Sequence, residues 1–384
     1  MKNHVCLICV IAALIFSGCS KKELNYTVSE VNGIKNFHNK NIPSDPNFRI
    51  SPKEVFTIHG YDENAQDTLR NFSFLRSTVV DSQGNIYLLD QKKSEIKKFN
   101  KDGDFIKSFC KLGSGPGELQ GGVCMLCLND TLYVKDTATL QFSKFTTEGF
   151  FLEKFYVEGF NYPQFLTPLD KTRFVNDLQE WEEKEDGKVY VSYDLQIRDN
   201  QFRLNKSLRK NKQRYVDDTT NHHDTVNPFC LGKDVIYIAR ISSDEYGIDV
   251  YDHEGKQLYS IQKDYRKVQI TEEELNEFGI SQKVTLGSEN NLDYKVNYKK
   301  AVNAMGMFED KNGYLLVQVP LDRNESNKYD FVVDAFKEGV FINRFKMDIG
   351  RGFDFYNSSH QRFFIGNRIY YQNREDNFMA VYEY

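Results

Sequence analysis

The chain has 384 residues, 40% of them hydrophobic and 14% aromatic, enough for a sizeable core in one large domain or two ordinary ones. Its 50 Lys and Arg against 55 Asp and Glu leave a net charge of −5. No basic run stands clear of the acidic residues around it, which argues against a nucleic-acid partner.

At the N-terminus, Lys2 precedes an apolar run from Val5 to Phe16, and Ser17-Gly18-Cys19 follow. A basic start, a short apolar stretch and small residues before a cut make a secretory signal peptide, too short to span a bilayer as a mature helix. An apolar run ending in Gly-Cys resembles the bacterial lipoprotein signal, which implies acylation at Cys19 and, with Ser20 next, an outer-membrane location. Residues 1–18 are therefore read as signal peptide. Residues 19–47, polar, Asn- and Lys-rich and carrying Pro43 and Pro46, are read as a lipidated N-terminus and tether. The folded domain is placed at 48–384.

EVFTIHG (54–60) is an isolated apolar strand. After it a unit begins to repeat. The strands NIYLLD, TLYVKD, VIYIAR and YLLVQV each lead to an acidic-Gly turn, in NKDGDFI (100–106), TTEGFFL (146–152), DHEGKQL (252–258) and FKEGVFI (336–342). The interval from Tyr87 to Gly103 equals that from Tyr133 to Gly149. Gly accepts the positive φ that a tight hairpin demands. Four antiparallel strands recurring every ~40 residues or more are the signature of a propeller blade.

Blade one is read from Phe74 to Leu112 and blade two from Gly122 to Val157. Between them lies KLGSGPGELQ (111–120). Its glycines are spaced GxGxG, with no Lys-Ser/Thr and no helix after them, so it reads as an inter-blade crossing rather than a phosphate cradle. Cys124 and Cys127 have CxxC spacing but lie in the strand-like run VCMLCL. Residues three apart on a strand point to opposite faces, so buried free thiols are the better reading than a metal or redox pair. Blade three, Gln164 to Arg209, carries a charged insert, EWEEKEDGK (180–188), expected to enlarge its turns. His222, His223 and Asp224 follow in a polar loop, and adjacent loop residues seldom converge on a metal. DENAQD (62–67) lacks the central Gly of a calcium loop. No metal and no cofactor are assigned.

Blade four spans Asn227 to Lys263 and blade five Ala301 to Met347. Between them, ITEEELNEFG opens with a capping box, Thr271 to Glu274, and 266–300 is read as a small helical insertion. QRFFIGN, RIYYQN and FMAVYEY supply only three strands before Tyr384. EVFTIHG can be the fourth, closing the ring and removing its exposed edges. The expectation is an all-β fold, a six-bladed β-propeller of four-stranded antiparallel blades.

Gly-x-Gly-Pro-Gly-Glu (113–118), the acidic-Gly turns and the NIYLLD-type strands resemble the NHL-repeat propellers. Joined to the lipoprotein signal, they look most like the six-bladed β-propeller lipoproteins of gram-negative gut anaerobes. The motif is complete only once here. The resemblance implies a binding platform; as an alternative it implies a metal-dependent hydrolase or lyase with ligands around the channel. No catalytic motif such as GxSxG or HExxH is present.

The channel mouth is the default ligand site, lined by the loops that enter the innermost strands. Its candidate residues are Arg76, Gln120, Tyr162, Asn227, Phe229, Asn303, His360 and Arg362. The functional expectation is a non-catalytic binding or scaffolding module, anchored through Cys19 in the outer membrane of the cell envelope. Its partners would be a glycan, a peptide or an envelope protein.

Overall fold

The computed structural model describes residues 25–61, 68–215, 226–277, 284–286, 290–292, 298–302, 306–322, 330–349 and 360–384. The hairpin β1 (Tyr26–Val31) and β2 (Ile34–Asn39) comes first, then β3 (Lys53–His59) and a 3-10 turn at Thr68–Arg70. Blade one is β4 (Leu75–Val80), β5 (Ile86–Asp90), β6 (Glu95–Phe99) and β7 (Phe105–Phe109). Blade two is β8 (Gly122–Leu128), β9 (Thr131–Asp136), β10 (Gln141–Thr146) and β11 (Phe151–Tyr156). Blade three is β12 (Tyr162–Pro168), β13 (Arg173–Glu183), β14 (Val189–Asp199) and β15 (Leu204–Tyr215). Blade four is β16 (Phe229–Leu231), β17 (Val235–Ala239), β18 (Tyr246–Asp252) and β19 (Gln257–Lys263). After α1 (Glu272–Glu277) and the pair β20 (Val284–Leu286) and β21 (Asn290–Leu292), blade five is β22 (Met307–Glu309), β23 (Leu315–Gln318), β24 (Phe331–Lys337) and β25 (Val340–Met347). Blade six is β26 (His360–Ile365), β27 (Arg368–Asn373) and β28 (Phe378–Glu383), completed by β3.

The closure is as the sequence predicts. β3 lies antiparallel on β28, with Ile58 opposite Met379 and Phe56 opposite Val381. The side chains explain why the ring holds. The second strands β5, β9, β17, β23 and β27 are buried along nearly their whole length, on both faces, so each blade packs against two neighbours. Six apolar clusters result among the described residues, one at each blade junction. Cys124 packs at the blade two/three junction and Cys127 at the one/two junction, on opposite faces of β8, and both are free thiols.

Three expectations are corrected. The segment 19–47 is not a tether throughout. β2 runs parallel to β19, with Tyr259 opposite Lys35, and extends blade four to six strands. Phe37 packs edge-on against Tyr259, and Asn39 is buried. Residues 44–48 then follow blade five: Ser44 Oγ donates to the Phe341 carbonyl (2.6 Å), and Asn343 Nδ2 donates to the carbonyls of Pro46 and Phe48. The N-terminal chain is thus a belt from blade four across blade five to blade six.

Second, the insert 180–188 does not enlarge a turn. It lengthens β13 and β14 to 11 residues each, in register from Arg173↔Asp199 to Glu183↔Val189. Alternating polar and β-prone residues extend the ladder instead of breaking it. Third, among its described residues the insertion at 266–300 is helical only at α1. The predicted capping box is there: the Thr271 amide donates to Glu274, and the Glu274 amide to Thr271 Oγ1 (3.2 Å). Val284–Leu286 pairs with Asn290–Leu292 as strands, and Tyr298 forms an isolated bridge with Gln269.

Candidate functional site

The first strands of the blades, β4, β8, β12, β16, β22 and β26, form the inner ring and pack against one another. Antiparallel order puts the start of each first strand, the end of each second and the end of each fourth at one end of the ring. This is the mouth.

The glycine-rich loop is on the way to that mouth and is filled by its own carboxylate. Glu118 Oε2 accepts the Gly115 amide at 2.8 Å, and Lys111 Nζ lies 3.1 Å from Oε1. The Gly115 bond first, then Lys111, hold the Glu118 carboxyl below its ordinary range. A Cβ at Gly113 would collide with Glu118, so glycine there makes room for an internal anion, not a bound phosphate.

Acids at the ends of second strands pin the entering loops. Asp90 accepts the amides of Ser73 (2.7 Å) and Phe74 (3.1 Å), and Asp136 accepts that of Gln120 (2.6 Å). Asp177 reaches the next blade: it accepts the Asn227 amide at 2.9 Å and Asn227 Nδ2 at 2.8 Å. Asn211 Nδ2 donates in turn to Asn227 Oδ1 (2.8 Å). Burial pushes the Asp177 carboxyl up to about 7, against the two Asn227 bonds that favour its ionised form, with Asp194 adding a smaller upward push.

Across the ring, at the junction of blades six and one, two arginines meet. Arg374 Nη2 donates to the Arg76 carbonyl at 2.7 Å. Burial, with the Arg76 charge second, lowers Arg374 to about 10. The Nε atoms of both are buried and make no hydrogen bond among the described residues, and neither side chain has an ion pair there. Below them Thr78 Oγ1 donates to Gln372 Oε1 at 2.8 Å.

The predicted mouth residues therefore separate. Arg76 sits at the mouth beside Arg374. Gln120 is exposed there, and Tyr162, 43% exposed, opens the inner strand of blade three. Asn227 is buried and saturated by Asp177 and Asn211, while Phe229 packs in the blade three/four core. Arg362 is buried between the rings of Phe331 and Tyr371, 4.5 Å from each centroid, and burial lowers it to about 10. It supports the core and does not line the mouth. His360 begins β26. Asn303, the pair His222 and His223, DENAQD and Cys19 lie outside the described residues. Sequence reading missed Arg374 and Asp177. The signal for Asp177 was visible, as the recurring acid that ends LLD, VKD and VND. Among the described residues no three His, Cys, Asp or Glu side chains group in a way that could hold a metal ion.

No family model matches the sequence, and no curated protein matches it. Among solved structures, a member of the DUF4221 family from Bacteroides vulgatus is 12% identical, over 86% of this chain and 97% of that one, with a TM-score of 0.45. A virginiamycin B lyase from Staphylococcus aureus is 11% identical over 81% and 95%, with a TM-score of 0.36. A luciferin-regenerating enzyme is 10% identical over 81% and 91%, with a TM-score of 0.37. At these values none of the likenesses bears on function.

Proposed function

We propose that the chain is an outer-membrane lipoprotein of NHL-like propeller type, anchored through Cys19. In this reading it is a non-catalytic module that binds a glycan or peptide bearing an anionic group at the channel mouth. The observation that supports it is the Arg76–Arg374 pair. Two half-buried guanidiniums without a carboxylate partner among the described residues repel each other, and a bound carboxylate, sulfate or phosphate ester would relieve that repulsion while satisfying their donors. Guanidinium and amide groups at fixed positions recognise and orient a ligand. Tyr162 offers an aromatic face across the mouth, in the same ring of loops. The N-terminal belt begins at Tyr26, so a lipid on Cys19 would hold the propeller close to the membrane surface.

The test has two arms. Wild type and Cys19→Ala are compared for fatty-acid labelling and membrane partition; loss of both in the variant supports the anchor, and retention of both opposes it. The detergent-solubilised protein is screened against neutral and acidic glycans and peptides. Preference for acidic members supports the mouth reading, and preference for neutral ones opposes it.

A further inference from the structure

A second cavity opens at the same end of the ring, between blades four and five, with a volume of about 230 Å3. Its apolar walls include Val268, Val319 and Val332, with Tyr246 and Tyr265 beside them. It belongs to neither the Arg76–Arg374 pair nor the blade three network.

Its polar wall is built around Asp334, which is fully buried. Arg344 makes a two-pronged bond to it, Nε to Oδ1 at 2.7 Å and Nη2 to Oδ2 at 2.9 Å. Lys263, also buried, lies 3.4 Å from the same carboxylate. Two basic side chains therefore share one buried carboxylate. The other charges facing the cavity lie nearer the solvent. Asp264 is exposed at the rim, and the exposed Arg266 stands 4.0 Å from Asp322, so those two offset each other.

Two donors remain at this wall. Arg344 Nη1 makes no hydrogen bond among the described residues, and the Arg344 side chain is 48% exposed toward the opening. Tyr246 is only 2% exposed, yet its hydroxyl has no hydrogen-bond partner there. A buried hydroxyl without a partner is unfavourable, and native structures rarely keep one without a reason. The cavity rim is also fixed. Lys299, buried, pairs with Glu274 of α1 and donates to the Leu321 carbonyl at 2.7 Å, tying the helix to the loop that forms one wall. An apolar chamber with a half-exposed guanidinium and a buried, unpartnered hydroxyl at its wall fits one ligand chemistry best.

We propose that this cavity binds a small organic carboxylate with an apolar body. The carboxylate accepts hydrogen bonds from the Tyr246 hydroxyl and Arg344 Nη1, and the body rests on Val268, Val319 and Val332. The inference stands apart from the mouth reading, since no residue is shared.

The test uses full-length protein in detergent, with 4-methylpentanoate and its amide as matched probes and empty micelles as the blank. Calorimetric titration is expected to show the acid binding about tenfold more tightly than the amide, because a charge-assisted bond is lost on neutralisation. Tyr246→Phe is expected to weaken the acid about fivefold while leaving the apo melting temperature equal to or above wild type, since the lost hydroxyl had no partner. Arg344→Lys should lose most of the acid-over-amide preference. Equal binding of acid and amide by wild type, absence of saturable binding, or unchanged acid affinity in Tyr246→Phe would each overturn the proposal. Arg76→Gln, which alters the mouth, should leave acid binding here unchanged; a matching loss in that variant would also count against a separate site.

Discussion

Asn39 Oδ1 accepts the Phe341 amide at 2.8 Å, across 302 positions of sequence. The same side chain donates through Nδ2 to the Gly339 carbonyl (2.9 Å) and the Gln262 carbonyl (3.1 Å). One buried amide therefore ties the N-terminal belt to blades four and five. Asn39→Ala leaves those backbone groups unpaired, each at about 1–3 kcal/mol. The expected result is a clear loss of unfolding free energy in urea, while Asn36→Ala, on a less buried neighbour, changes it little.

Ring closure gives a second contrast. Ile58 is 1% exposed in the blade six/one core, whereas Val55 on the same strand is 46% exposed. Ile58→Ala should cost about 2–5 kcal/mol, and Val55→Ala should stay within about 0.5 kcal/mol. Thermal and denaturant melts of the two variants check this directly.

Asp177 predicts a pH dependence. Its carboxyl, pushed up to about 7, titrates in the unfolded chain near the ordinary value of about 3.9. Between those values the native state holds a proton that the unfolded state has lost. The contribution to stability is therefore full below about pH 4 and declines as pH rises to about 7, with a limiting slope of about 1.4 kcal/mol per unit. Asp177→Asn removes the group. Its stability relative to wild type should rise between pH 4 and pH 7, read from urea unfolding across that range.

The Arg76–Arg374 pair predicts an anion effect without knowledge of the ligand. At constant ionic strength, sulfate in place of chloride should raise the melting temperature of wild type. The shift should shrink in Arg374→Gln, which should itself melt no lower than wild type in chloride, because a like-charge contact is gone.

Much of this architecture was legible in the sequence, and the parts that were not share a physical cause. Gly turns and apolar second strands mark the blades because hairpins and two-faced burial restrict which residues fit. The missing fourth strand pointed to EVFTIHG for the same reason. The belt at 26–48 was misread as tether because its polar composition carries no core signal; its order comes from Asn39, Ser44 and Phe37 meeting partners in blades four and five. Arg362 was misplaced because a strand Arg looks exposed by type, while two aromatic rings from blades five and six enclose it. Arg374 follows β27 within blade six without any motif, and only the ring's closure brings it to Arg76. The capping box Thr271–Glu274, in contrast, was readable because both its partners lie within one turn.

The central claim is that the mouth binds and retains a ligand with an anionic group. The most direct measurement is titration of the best acidic glycan or peptide from the screen into wild type, Arg76→Gln, Arg374→Gln and Tyr162→Ala, with mass analysis of the ligand recovered afterwards. The account predicts saturable binding, weakened about tenfold or more by either arginine substitution, weakened less by Tyr162→Ala, and a ligand recovered chemically unchanged. Binding that survives both arginine substitutions, or a ligand recovered cleaved, would contradict it.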